Sequence, residues 1–100
     1  FMKECALYAP INPLDGAISV IIEFSMPRPK SHYRTGKYSH ILKDSMPTYH
    51  TSKPDIDNLI KFYLDAMTGL YWRDDAIVYD VHATKIYSDK GMVEIEYWKA

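Results

Sequence analysis

The sequence predicts a single α+β domain, a small mixed β-sheet with packed helices, and three observations predict it. Residues 57–68 repeat apolar positions at helical spacing. Residues 17–24 (AISVIIEF) form a β-branched apolar run, the composition of a central strand. Residues 76–87 and 92–98 are strand-like on either side of Ser88-Asp89-Lys90-Gly91, a hairpin signal. The expected order is helix, strand, loop, helix, strand, strand.

Residues 1–9 (FMKECALYA) read as the end of a helix with Phe1, Met2, Cys5, Ala6 and Ala9 on one side, stopped by Pro10 and Pro13. A chain that starts at Phe1 implies a natural N-terminus further upstream. Asp15-Gly16 is a turn signal, and the strand over 17–24 feeds Ser25 to Pro29. Residues 27–53 show no period; a loop this long in a small domain is functional or mobile. In 76–87, alternation places Ile77, Tyr79, Val81 and Ala83 on one face, with Lys85 following them. Glu94 and Glu96 lie on the polar face of the last strand and carry no chemistry.

One hundred residues with 47% hydrophobic content suit one folded domain with a modest core. No apolar run is long enough to span a bilayer, and no signal-peptide pattern opens the chain. The single Cys5 cannot form an internal disulfide, which fits a reducing cytoplasm. There is no CxxC, no HExxH and no Gly-rich phosphate loop, so no nucleotide cofactor is expected.

The chemistry concentrates in 53–75 (KPDIDNLIKFYLDAMTGLYWRDD). Leu59, Ile60, Tyr63, Leu64 and Met67 mark the buried face of a helix. Asp55 or Asp57 stands at its N-cap and Gly69 at its C-terminal stop. On the other face Asp57, Lys61 and Asp65 stack at four-residue steps. Such acid–lysine ladders are also ordinary surface chemistry. Asp74 and Asp75, at the start of the next strand, shift the balance. If the helix packs back on that strand, four carboxylates converge at one end. Crowded carboxylates repel unless a cation neutralises them, and an all-oxygen set suits Mg²⁺ before Zn²⁺.

The net charge of −1 hides a division. Residues 28–53 hold six cations (Arg28, Lys30, Arg34, Lys37, Lys43, Lys53) against Asp44, a local +5, and the remainder carries −6. A basic segment can grip phosphates while the acidic one holds cations. Tyr33, Tyr38 and Tyr49 interleave with the cations and can stack on unpaired bases or pack over lysine stems. His32, His40 and His50 are irregularly spaced and are not expected to ligate metal.

The stretch KPDIDNLIKFYLDAMTG with the following RDD closely resembles the core of the RusA-type Holliday-junction resolvases. The likeness extends upstream through Pro27–Lys37 and Tyr49–Asp55 and downstream to the strand with Lys85, about residues 18–90 in all. It implies a RusA-like fold in one domain over residues 1–100, lacking an N-terminal strand and loop. It also implies a bacterial, cytoplasmic, phage- or prophage-encoded enzyme. It implies a Mg²⁺-dependent homodimeric endonuclease that resolves four-way DNA by paired symmetric nicks in recombination and repair. The metal-binding aspartates map onto Asp55, Asp57 and Asp75, and the helix lysine onto Lys61. Asp74 and Asp65 are additional candidates. The DNA-contact candidates are Arg28, Lys30, Tyr33, Arg34, Lys37, Lys53 and Lys85, and Lys85 reads equally as a snorkelling surface lysine. The competing readings are a catalytically silent branched-DNA-binding module and a metal-stabilised structural or interaction domain.

Overall fold

In the computed structural model, residues 9–100 are described. The helix expected at the start of the chain falls on residues 1–8, outside the described residues. The remainder is α+β: strand β1 (Ile18–Pro27), helix α1 (Ile56–Met67), strand β2 (Val78–Ser88) and strand β3 (Met92–Lys99). The sheet order is β2-β1-β3, with β1 parallel to β2 and antiparallel to β3. The sheet is therefore mixed and β1 is central, as its β-branched composition predicts.

Alternation along β1 builds the core. Ile18, Val20, Ile22 and Phe24 are at most 1% exposed and point to the helix side. Their β3 partners on that face are Tyr97 beside Val20, Ile95 beside Ile22 and Val93 beside Phe24. α1 packs the expected stripe over this face: Met67 is buried, and Leu59, Ile60, Tyr63 and Leu64 pack against the core. The Phe24 and Tyr63 rings meet at 5.4 Å between centroids.

The helix begins one residue before the expected start, with Asp55 at the N-cap. It ends as Gly69 turns into the left-handed region at φ 86°, where a side chain would be strained. The Thr68 hydroxyl closes the last turn by donating to the Leu64 carbonyl at 2.8 Å. The reversal then continues to Trp72, which is fully buried. Its indole Nε1–H donates to the Thr68 hydroxyl at 3.1 Å. The Asp15-Gly16 turn is present, with Gly16 at φ 105° and its N–H bonded to Asp15 Oδ1 at 2.9 Å.

Two expectations are corrected. β2 and β3 do not form a hairpin, because β1 lies between them. The Asp89–Gly91 link crosses the end of β1, where Pro27 pairs with Ser88 and Ser25 with Met92. Turn residues mark a reversal of direction, and they do not say which strands become neighbours. The phase of β2 also differs. Asp75–Ile77 is a 3₁₀ turn, so the strand starts at Val78. Ile18 pairs with Val78 but Ser19 with Asp80, leaving Tyr79 as a bulge residue. The bulge puts Val78 on the same face as Val81 and leaves Tyr79 62% exposed.

The long segment after β1 is a folded strap. Two 3₁₀ turns, Lys30–His32 and Gly36–Tyr38, lead into a bridge between Tyr33 and Leu42. Its return leg lies along β2: His50 N–H donates to Lys85 O at 3.1 Å and Tyr87 N–H to Thr48 O at 2.9 Å. That pairing covers part of the outer edge of β2, which would otherwise present open backbone groups.

Candidate functional site

α1 and β2 enclose a cleft of about 420 Å³. Its floor is apolar, from Ile60 and Leu64 on the helix and Val78 and Val81 on the strand. Its rim is charged: Asp57, Lys61 and Asp65 from α1, and Asp75 from the turn before β2. The arrangement follows from two periods. Positions 57, 61 and 65 share the helix edge beside the buried stripe. The 3₁₀ turn lifts Asp75 toward that edge, and the bulge keeps both valines inward.

The two carboxylates of the Asp74-Asp75 pair have different tasks. Asp74 is the N-cap of the 3₁₀ turn, and its Oδ1 accepts the Ala76 N–H at 3.2 Å. That bond, with a hydrogen bond to the Asp75 side chain, lowers its pKa and keeps it charged. Asp75 is pushed the other way. The hydrogen bond to Asp74 raises it most, followed by desolvation and the negative charges of Asp74 and Asp65. Asp65 is thus the acid of α1 whose charge Asp75 feels.

The expected convergence of four carboxylates is not met. Asp57 and Asp65 are eight residues apart, so helix rise separates them by about 12 Å. Asp55 does not line the cleft. Its carboxylate makes no capping bond, so it remains free at the positive end of the helix. Among the described residues, no three acidic or imidazole side chains stand close enough to hold one ion. A hard cation still fits the donors. Mg²⁺ keeps most of its waters and takes one or two carboxylates together with substrate phosphates. Asp65 and Asp75, which line the same cleft, offer that number.

Lys61 projects from the same rim. Among the described residues the ion pairs are Arg34–Asp44 and Arg73–Asp15, so Lys61 is an exposed, uncommitted cation.

The basic candidates separate by what they already touch. Arg28 donates to Pro47 O at 2.8 Å and stacks over Tyr87 at 5.2 Å, which ties the strap together. Arg34 stands 3.9 Å from Asp44 in an exposed pair of little energetic weight. Lys37 lies 5.2 Å from the Tyr38 ring centroid. The Tyr33 hydroxyl donates to Asp89 at 3.4 Å. Lys30 and Lys53 are exposed and outside those ion pairs. Lys85 is engaged: its ammonium donates to Ser52 O and Pro54 O, both at 2.7 Å. Sequence reasoning missed that role, because nothing in a lone lysine on a strand names the loop it will hold.

The far face of the sheet is unsuited to phosphates. Glu23 lies opposite Glu94, and Ile21 opposite Glu96. Asp80 on the same face accepts the Ser19 hydroxyl at 2.8 Å. The helix side instead carries the mixed rim of Asp57, Lys61, Asp65 and Asp75. No helix among the described residues is long and apolar enough to cross a membrane.

A sequence model of the family described as Endodeoxyribonuclease RusA matches residues 2–97. Uncharacterized protein YqaN of Bacillus subtilis (strain 168) is 31% identical over 99 residues, covering 95% of this chain and 69% of that protein. Crossover junction endodeoxyribonuclease rusA of Lactococcus phage r1t is 43% identical over 49 residues, covering 48% of this chain and 37% of the phage protein. No solved structure matches the chain.

Proposed function

Because this chain belongs to the RusA endodeoxyribonuclease family, we propose that it is a Mg²⁺-dependent, homodimeric resolvase of four-way DNA junctions that serves recombination and repair. One observation supports this reading above the others. An all-oxygen acidic rim with a free lysine lies on α1, and the basic segment ends at Lys53, two residues before that helix is capped.

The proposed roles rest on this geometry. Asp75 and Asp65 hold one cation, and Asp57 and Asp55, at the N-terminal end of α1 about 12 Å from Asp65, serve a second. When bound, a divalent cation lowers the pKa of a coordinated water and offsets charge on the phosphate. Lys61 supplies a fixed positive charge beside the scissile phosphate. Asp74 holds the 3₁₀ turn and so orients Asp75. Lys30 and Lys53 grip backbone phosphates on the helix side, and exposed Tyr38 and Tyr49 offer rings to unpaired bases. A four-way junction has approximate two-fold symmetry, and a C2 dimer presents two such rims by the same operation.

The test is incision of a synthetic four-way junction and a matched linear duplex, with Mg²⁺ and with chelator. Symmetric paired nicks in the junction alone, lost with chelator, are the expected result. Tight junction binding without nicks would instead establish the silent binding module.

Two subsidiary outcomes are expected. Lys30→Ala and Lys53→Ala each weaken junction binding about equally for any sequence. Each lowers the slope of log affinity against log salt by about 1. An unchanged slope removes that lysine from the interface. Mg²⁺ alone, at about ten times its dissociation constant, stabilises the fold by about 1.4 kcal/mol. In a 100-residue domain that raises the melting temperature by roughly 5–10 °C. Asp75→Asn abolishes the shift; a shift that survives places the ion elsewhere.

A further inference from the structure

Lys85 stands on β2 with its side chain across the loop that leads into α1. Its Nζ donates to the Ser52 and Pro54 carbonyls at 2.7 Å each. Asp55, the N-cap of α1, follows Pro54 directly, and Asp57 lies in the first turn. The same stretch of β2 holds residues 48–50 through the main chain, with Tyr49 bridged to Ile86. Among the described residues, no other hydrogen bond holds 51–54. The last anchor before the acidic rim is therefore a side chain. Burial, and then the Lys85 charge, lower the pKa of His50 on the adjoining strap. Two of the three ammonium donors are spent on backbone, which leaves Lys85 poorly placed as a phosphate grip.

We propose that Lys85 is a positioning residue: by clamping Ser52 and Pro54 it fixes where Asp55 and Asp57 stand relative to Asp75, and so sets the cation affinity of the rim. The proposal rests on the reading of these carboxylates as cation ligands. Loss of the clamp lets the 51–54 loop shift, and the carboxylates at the start of α1 shift with it. Outer partners that orient ligands in this way typically change metal affinity by 10- to 100-fold when removed.

The experiment uses the full chain with Lys85→Met and Lys85→Arg. Mn²⁺ binding without DNA is read by electron paramagnetic resonance, and junction affinity in chelator is read across a salt series. Lys85→Met is expected to weaken Mn²⁺ binding about tenfold. It leaves junction affinity within about twofold and the salt slope unchanged. Lys85→Arg, which keeps charge and donors, restores most of the Mn²⁺ affinity. If the Met variant fails to fold, Lys85→Gln keeps an N–H donor and carries the same comparison. Unchanged Mn²⁺ affinity in Lys85→Met overturns the proposal alone. So does a weaker junction complex whose salt slope falls by about 1, because that is the signature of a phosphate contact. A wild-type chain that takes up no Mn²⁺ sinks the reading of the rim, and the clamp with it.

Discussion

Asp57→Asn is expected to lower junction incision by at least about 1,000-fold, roughly 4 kcal/mol of transition-state stabilisation, while junction binding in chelator survives. The two effects separate because Asp57 is exposed on the rim and contributes little to the fold. Its carboxylate sits in the first turn of α1, where an acid gains about 0.3–1 kcal/mol from the helix dipole. Asn keeps the volume and loses only that increment. The neutral amide also removes a negative charge from a surface proposed to meet phosphates, so binding holds or tightens slightly. Paired single-turnover incision and equilibrium binding distinguish the outcomes. Incision within tenfold of wild type would remove Asp57 from the chemistry and leave Asp65 and Asp75 as the cation pair. Loss of binding and incision together, with a lowered melting temperature, would mean that the residue acts on the fold.

The contrast between Asp57 and Asp65 shows which parts of the site were legible beforehand. Period 3.6 places Asp57, Lys61 and Asp65 on one helix edge, and the helix is found there within one residue. The same period fixes Asp57 and Asp65 about 12 Å apart, so they cannot all join Asp75 at one point. Which of them Asp75 approaches depends on how α1 lies across β2, and no local pattern encodes that. β1 was readable because its β-branched run, with Ile18, Val20, Ile22 and Phe24 alternating into the core, marks a strand whichever strands pair with it. The hairpin was not, because Ser88–Gly91 carries the same turn residues whether the chain pairs with its predecessor or steps over a third strand. The bulge at Tyr79 was hidden for a similar reason. One extra residue inverts the phase of alternation without leaving a residue type that announces it.

Trp72 was not singled out by any pattern, yet its removal carries the largest expected stability effect. It is fully buried behind the end of α1, with Tyr97 edge-on at 5.9 Å between centroids. Its carbonyl accepts the Gly69 N–H at 2.7 Å and its indole N–H reaches Thr68, so the residue closes the reversal from both backbone and side chain. Trp→Ala at such a site loses about 3–5 kcal/mol. Domains of this size have about 5–15 kcal/mol in total, so the variant is expected to melt roughly 15–30 °C lower or not to fold. Trp72→Phe separates packing from hydrogen bonding. It keeps most of the ring volume and leaves the Thr68 hydroxyl still donating to Leu64 O, so a loss of about 1–2 kcal/mol is expected. Because Asp74 and Asp75 follow Trp72 by two and three residues, the Phe variant also tests the site. If the 3₁₀ turn is held by the Asp74 cap, incision by Trp72→Phe stays close to wild type at a temperature where it is folded. A folded Phe variant with incision down more than tenfold would show that the indole, rather than the cap, sets where Asp75 points. Denaturant unfolding and incision on the same preparations decide between these outcomes.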